Sequence, residues 1–233
     1  MSRNGAATRK AIMDAAQSLI LETGFSAASV DSVIARAGIT KGAFFYHFKT
    51  KADLAEALVL RDAANDAAHL EKHLARAERL SADPLQQVLI CMGLFEQEME
   101  ALVGPYPGCL YASFIYEAQL FDERTLQIVR EVFAGWRKRI GEKLRLVMAA
   151  YPPRLPVSIE TLADMNLAIA EGAYILSKVN NDPRAVSAQF RHYRNYLHLL
   201  FAPDPAKPLP TVPALDSIPA ADAAKLDAVG AAT

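Results

Sequence analysis

Between Ser29 and Asp53 the chain carries three helix-start signals and one stop within 25 residues, so whatever folds there is built from very short helices. Ser29 stands before VDSVIARA, where a hydroxyl can accept from the first free amides of a helix. Gly38 allows the left-handed turn that ends that helix. Thr40 caps the next one, and Thr50 with Asp53 has the Thr-x-x-Asp form of a capping box. Helices of two turns are not stable alone and must be braced by neighbours. The stretch TKGAFFYHFKTK, residues 40–51, shows how: Phe44 and Phe48 share an inward face, while Lys41, Tyr46, His47 and Lys51 remain outside.

Elsewhere the three-and-four rhythm of amphipathic helices recurs and strand alternation is hard to find. Ile12, Ala15, Ala16, Leu19 and Ile20 mark the face of a first helix that Gly24 closes. A long fourth helix follows Thr50, Asp83-Pro84 opens a fifth, and GPYPGC stops it. CLYASFIYEAQLF and DERTLQIVREVFAGWRKRIGEKLRLVMAAY come next, then helices over about 159–179 and 183–201. This gives an all-α chain of about nine helices. From Ala202 onward alanine and proline dominate, and such a tail buries too little apolar surface to offset its ordering entropy, so 202–233 is expected to be disordered or loosely docked.

Charge divides the chain in the same place. Residues 1–51 hold seven cations and three anions, whereas the whole chain has a net charge of −1. A basic front end on an acidic body suits a polyanion partner. No 18-residue apolar run and no secretory leader is evident, and the two cysteines, Cys91 and Cys109, fit neither a metal knuckle nor a redox pair, so a cytoplasmic address with reduced thiols and no membrane contact is expected.

A helix, a tight glycine turn and a short cation-bearing helix follow the logic of the helix-turn-helix, in which the second helix enters the major groove of double-stranded DNA. Gly42, costly within a helix, fits a backbone that must approach DNA closely. The segment TRKAIMDAAQSLILETGFSAASVDSVIARAGITKGAFFYHFKTKADLAEALV resembles the N-terminal domain of the TetR family of transcriptional regulators. That resemblance implies a helix-turn-helix domain over 1–51 and a helical ligand-binding and dimerisation domain over 52–201. It further implies a homodimer formed by the last two long helices, a palindromic operator, a small-molecule effector, and most often repression. Carried over by position, Ser29 contacts phosphate, Thr40, Lys41, Gly42 and Ala43 lie at the DNA surface, and Tyr46, His47 and Lys51 face the backbone or groove edge. Phe45 stands where the family usually has tyrosine, and Ile34 where it has a small alanine.

Met92, Phe95, Met99, Phe114, Trp136 and Tyr174 are candidates for the effector pocket, since apolar and aromatic side chains line such sites, although the same stripes also fill cores. Cys109 follows a glycine at the expected start of a helix, whose positive dipole end lowers a thiol pKa. With Lys178 as its neighbour it would be a sensor of reactive electrophiles, as in family members with Gly-Cys at this point; a structural cysteine is the alternative. For dimerisation, Met165, Ile169, Gly172, Leu176, Phe190, Tyr193 and Leu197 fall at spacings that make apolar faces. His69 and His73 lie one helical turn apart, but with no third ligand in view they read as a solvated face, and neither metal nor cofactor is expected. No phosphate-cradling loop, zinc-protease helix or credible Ser-His-Asp order points to an enzyme. A DNA-binding regulator or architectural protein without ligand control is the competing reading.

Overall fold

The computed structural model describes residues 3–201, with side chains from residue 5; the alanine- and proline-rich tail lies outside them. Among the described residues there are nine α-helices and no strand: α1 (Arg3–Thr23), α2 (Val30–Ala37), α3 (Lys41–His47), α4 (Lys51–Leu80), α5 (Pro84–Glu100), α6 (Leu110–Tyr116), α7 (Glu123–Ala150), α8 (Ile159–Asn180) and α9 (Arg184–Phe201). A 3-10 turn at Ala118–Leu120 interrupts the segment expected to be one helix over 109–121. No helix among the described residues is long and apolar enough to cross a membrane.

The short-range signals close as their chemistry requires. Ser29 accepts from the amide of Ser32, Thr40 from that of Ala43, and Thr50 and Asp53 exchange both bonds of a capping box. Gly38 ends α2 at φ 64° and donates its amide back to the last turn.

Two apolar clusters hold the molecule together. The first packs α1, α2, α3 and the start of α4 around the fully buried Phe44, and recruits α6 through Leu110, Tyr111 and Phe114. It therefore runs past residue 51, taking in Leu54, Leu58 and Val59. The second joins the far half of α4 to α5, α7, α8 and α9. Helix α4 belongs to both, buried at Leu54–Val59 and again at Leu70–Ala77, with no buried residue over 60–69.

Three of the residues expected at a dimer face, Phe190, Tyr193 and Leu197, point instead into this second core against α5, with the Tyr193 hydroxyl donating to the carbonyl of Leu162. Spacing marks an apolar face without saying which neighbour it meets. The apolar residues that α8 leaves exposed are Ala168, Ile175, Leu176 and Val179, and on α9 Leu199.

Candidate DNA-reading surface and effector cavity

Helix α3 is held from below and bare above. Phe44 and Phe48 are buried, and the Arg9 guanidinium lies 5.1 Å from the Phe48 ring centre. Ser29, Thr40, Lys41, Gly42 and Tyr46 are exposed, whereas Ala43 and His47 are half-buried. Lys41 meets Asp31 only at 3.5 Å, an exposed pair of little strength that a phosphate can displace. A Cβ built on Gly42 would find nothing nearer than the Thr40 hydroxyl at 4.0 Å. The protein's own fold thus leaves room at that position.

Lys51 departs from the expectation that it faces outward. Its ammonium donates to the carbonyl of Phe25 and lies 4.1 Å from that ring's centre, and partial burial pulls its pKa down, opposed by the nearby Glu117 carboxylate. Glu117 in turn accepts the amides of Phe25 at 2.6 Å and Ser26 at 2.9 Å. Gly24 turns the chain into this loop at φ 87°, and a Cβ there would come within 2.9 Å of the Glu117 Oε1. The loop between α1 and α2 is consequently gripped by a lysine on one side and a carboxylate on the other.

A cavity of about 230 Å³ lies beside the unburied middle of α4. Of the residues expected there, Phe95, Met99, Cys109, Trp136 and Tyr174 line it, with Tyr106 stacked on Tyr174 at 4.0 Å between ring centres. Met92, Phe114 and Lys178 do not. Met92 is sealed in the second core, and Phe114 belongs to the first, stacked on Phe121 at 4.3 Å. Lys178 reaches the other way and donates to the carbonyl of Leu21 in α1 at 3.0 Å. A wider groove of about 540 Å³ between α4 and α7 shares the Trp136 wall but is more open to solvent.

Three carboxyls missed by the sequence reading also face the cavity: Asp62 and Asp66 of α4 and Glu171 of α8. Burial raises the pKa of each, because a charge removed from water is disfavoured. Arg61 partly offsets this at Asp62. The Tyr111 hydroxyl donates to Asp66 at 2.7 Å, and Glu171 has only the Cys109 thiol to lower its pKa. The four-residue spacing of Asp62 and Asp66 put them on one helix face; nothing local tied Glu171 to them.

The thiol chemistry is the reverse of that expected. Cys109 does sit at the N-cap of α6, and the amides of Ala112 and Tyr111 favour its thiolate. Burial and the adjacent Glu171 carboxyl outweigh them and push the pKa up instead. Lys178 passes Gly108, its Nζ 3.5 Å from where a Cβ would stand, yet is committed to Leu21. Cys91 is fully buried, which pushes its pKa up to about 12.

Comparison with known proteins agrees with this architecture. The family described as bacterial regulatory proteins, tetR family, matches residues 12–58. The Transposon Tn10 TetC protein of Escherichia coli is 39% identical over 162 residues, covering 59% of this chain and 80% of that protein. The HTH-type transcriptional repressor DhaR of Mycobacterium sp. (strain GP1) is 24% identical over 178 residues, covering 75% and 85% respectively. Among solved structures, a TetR family regulator from Agrobacterium tumefaciens superposes with a TM-score of 0.68 at 22% identity, over 85% of this chain and all of that one. A helix-turn-helix head carried on a helical body, matched in sequence at the head and in fold along most of its length, makes this chain a DNA-binding transcriptional regulator of the TetR family.

Proposed function

We propose that this regulator is a repressor that sits on a palindromic operator as a homodimer and leaves it when a small molecule with an apolar, aromatic body and a cationic group enters the cavity beside α4. The bare outer face of α3, with Lys41 and Tyr46 at its surface, supplies the groove contact, and Ser29 and Thr40 lie where phosphates would pass. The exposed apolar side chains of α8 and α9 fit a two-fold interface, with Gly172 permitting close approach. The relative DhaR is named a repressor.

One observation carries the reading: α6 has one end in the cavity and the other on the reading head. Cys109, Leu110 and Tyr111 line the cavity, and within a few residues Phe114 enters the first core and Glu117 holds the Phe25 and Ser26 amides. An occupant that displaces the start of α6 must therefore move the support of α2 and α3, while also bearing on α4 through Asp66 and Tyr111. The carboxyls Asp62, Asp66 and Glu171 favour positive charge, and the aromatic walls stabilise it further through their ring faces.

The test uses fluorescence anisotropy on a duplex selected from a random pool for binding this protein. Aromatic quaternary ammonium compounds should release it, whereas neutral isosteres and carboxylate analogues should not. Glu117→Gln should keep operator affinity within a few-fold and blunt the release. Equal release by neutral and cationic compounds would refute the effector class. Undiminished release in Glu117→Gln would refute the α6 route.

A further inference from the structure

His69 and His73, which the sequence leaves without a third ligand, acquire one from α5. The Nε2 atoms of the two rings lie 3.0 Å apart, and the Glu98 Oε2 is 2.6 Å from that of His69 and 3.0 Å from that of His73. The group is not a chance surface cluster: His73 is only 2% exposed, and the Phe95 ring packs edge-on against both imidazoles, at 4.5 and 5.3 Å between ring centres.

Hydrogen bonding alone does not satisfy this arrangement. If both rings carry Nε2–H and donate to Glu98, two N–H groups face each other at 3.0 Å. If either proton is removed, that nitrogen turns a lone pair towards a carboxylate oxygen. With Glu98 ionised, no tautomer of the two rings makes all three contacts favourable. A single cation among the three atoms does, because each then offers it an electron pair.

We propose that His69, His73 and Glu98 bind a divalent transition-metal ion of the zinc or cobalt type. Two imidazoles at i and i+4 on one helix face and a carboxylate from a second helix are a donor set suited to borderline-soft ions rather than to magnesium or calcium, which take oxygen ligands. Tetrahedral coordination places ligand atoms about 3.3 Å apart, so the three side chains open by roughly 0.3–0.7 Å on binding, a rotamer adjustment. Three protein ligands leave a fourth position. His69 also lines the cavity, which puts the ion at its wall beside Asp66. Bound there, the ion fastens α4 to α5 at the edge of the cavity. The metal site stands independently of the effector proposed above, and its test does not use DNA.

Full-length protein, stripped with a chelator and dialysed, is titrated with Co²⁺ by visible absorbance and with Zn²⁺ by competition against a chromophoric chelator. One equivalent per chain is expected, with Mg²⁺ failing to compete. His69→Ala and Glu98→Gln should each weaken binding at least about tenfold, and the exposed His192 replaced by alanine should change nothing. His69 is half-buried and Glu98→Gln preserves shape, so both variants should fold, which circular dichroism checks; His73→Ala, at a buried position, is a supporting variant only. No Co²⁺ or Zn²⁺ binding at micromolar concentration overturns the site. So does binding that survives in both His69→Ala and Glu98→Gln.

Discussion

The two stretches of α4 are surrounded by opposite chemistry. At Leu54–Val59 the helix packs into an apolar cluster in which α2, α3 and α4 each start on a side-chain cap. At Asp62–His69 the same helix presents two carboxyls and an imidazole to a cavity, with pKa values raised at Asp62 and Asp66 by burial. The first region is finished without a partner except on its outer face. The second is electrostatically unfinished and gains most from an occupant. Under the proposed function, the contrast separates groups kept for folding from groups held at a cost for binding.

The largest effect should come from cutting into the finished region. Phe44→Ala removes a fully buried ring and should destabilise the protein by about 3–5 kcal/mol, read as a lower midpoint in denaturant, with operator binding lost as α3 comes free. A variant that still bound DNA at normal affinity would mean that the head does not depend on its core.

Gly42→Ala sharpens the distinction between core and outer face. Space exists for the methyl group, and alanine is the better helix former, so the free protein should gain up to about 1 kcal/mol in thermal or chemical denaturation. Operator affinity should nevertheless fall, because the methyl would stand between backbone and DNA. Unchanged affinity would place the groove contact elsewhere.

Glu171→Gln probes the unfinished region. The folded-state pKa of Glu171 lies above the ordinary value of 4.5, so the folded protein keeps this proton to higher pH than the unfolded chain. Its contribution to stability is present below the unfolded pKa and is lost as pH rises through the folded one. The substitution should therefore raise the melting temperature more at pH 8 than at pH 4, and weaken release by cationic compounds. An equal or negative shift at pH 8 would show that the buried carboxylate is compensated.

The smallest effect is expected at the cysteine. With its thiolate disfavoured, Cys109 should react slowly with mild electrophiles at pH 7, by mass spectrometry, and Cys109→Ser should change stability by no more than about 0.5 kcal/mol and retain release. Rapid labelling with loss of release would restore the sensor reading.

The same contrast explains what was legible in the sequence. Caps act over three residues, so Ser29, Thr40, Thr50, Asp53 and Gly38 could be read directly and located both ends of α2 and the starts of α3 and α4. The cavity and the histidine pair beside it are assembled from residues far apart in the chain: Asp66 with Tyr111 and Cys109 with Glu171 in the one, His69 with Glu98 in the other. Periodicity marked Phe114 and Met92 as inward-facing but could not say into which interior, and they went to the two cores rather than to the cavity wall. Lys51 misled because a lysine between exposed neighbours is ordinarily solvated, and only the folded loop brings the Phe25 carbonyl to it.

The grip of Glu117 and Lys51 on the loop at Phe25 and Ser26 bears on how interchangeable such heads are. A chimaera joined at residue 51 would place a foreign head on a body whose Glu117 accepts two particular amides and whose Phe114 fills a particular hollow, while leaving Leu54, Leu58 and Val59 with the wrong parent. Operator specificity should transplant cleanly only when the graft carries the first three turns of α4 and an α6 segment to match, so the unit that can be exchanged is discontinuous in the chain.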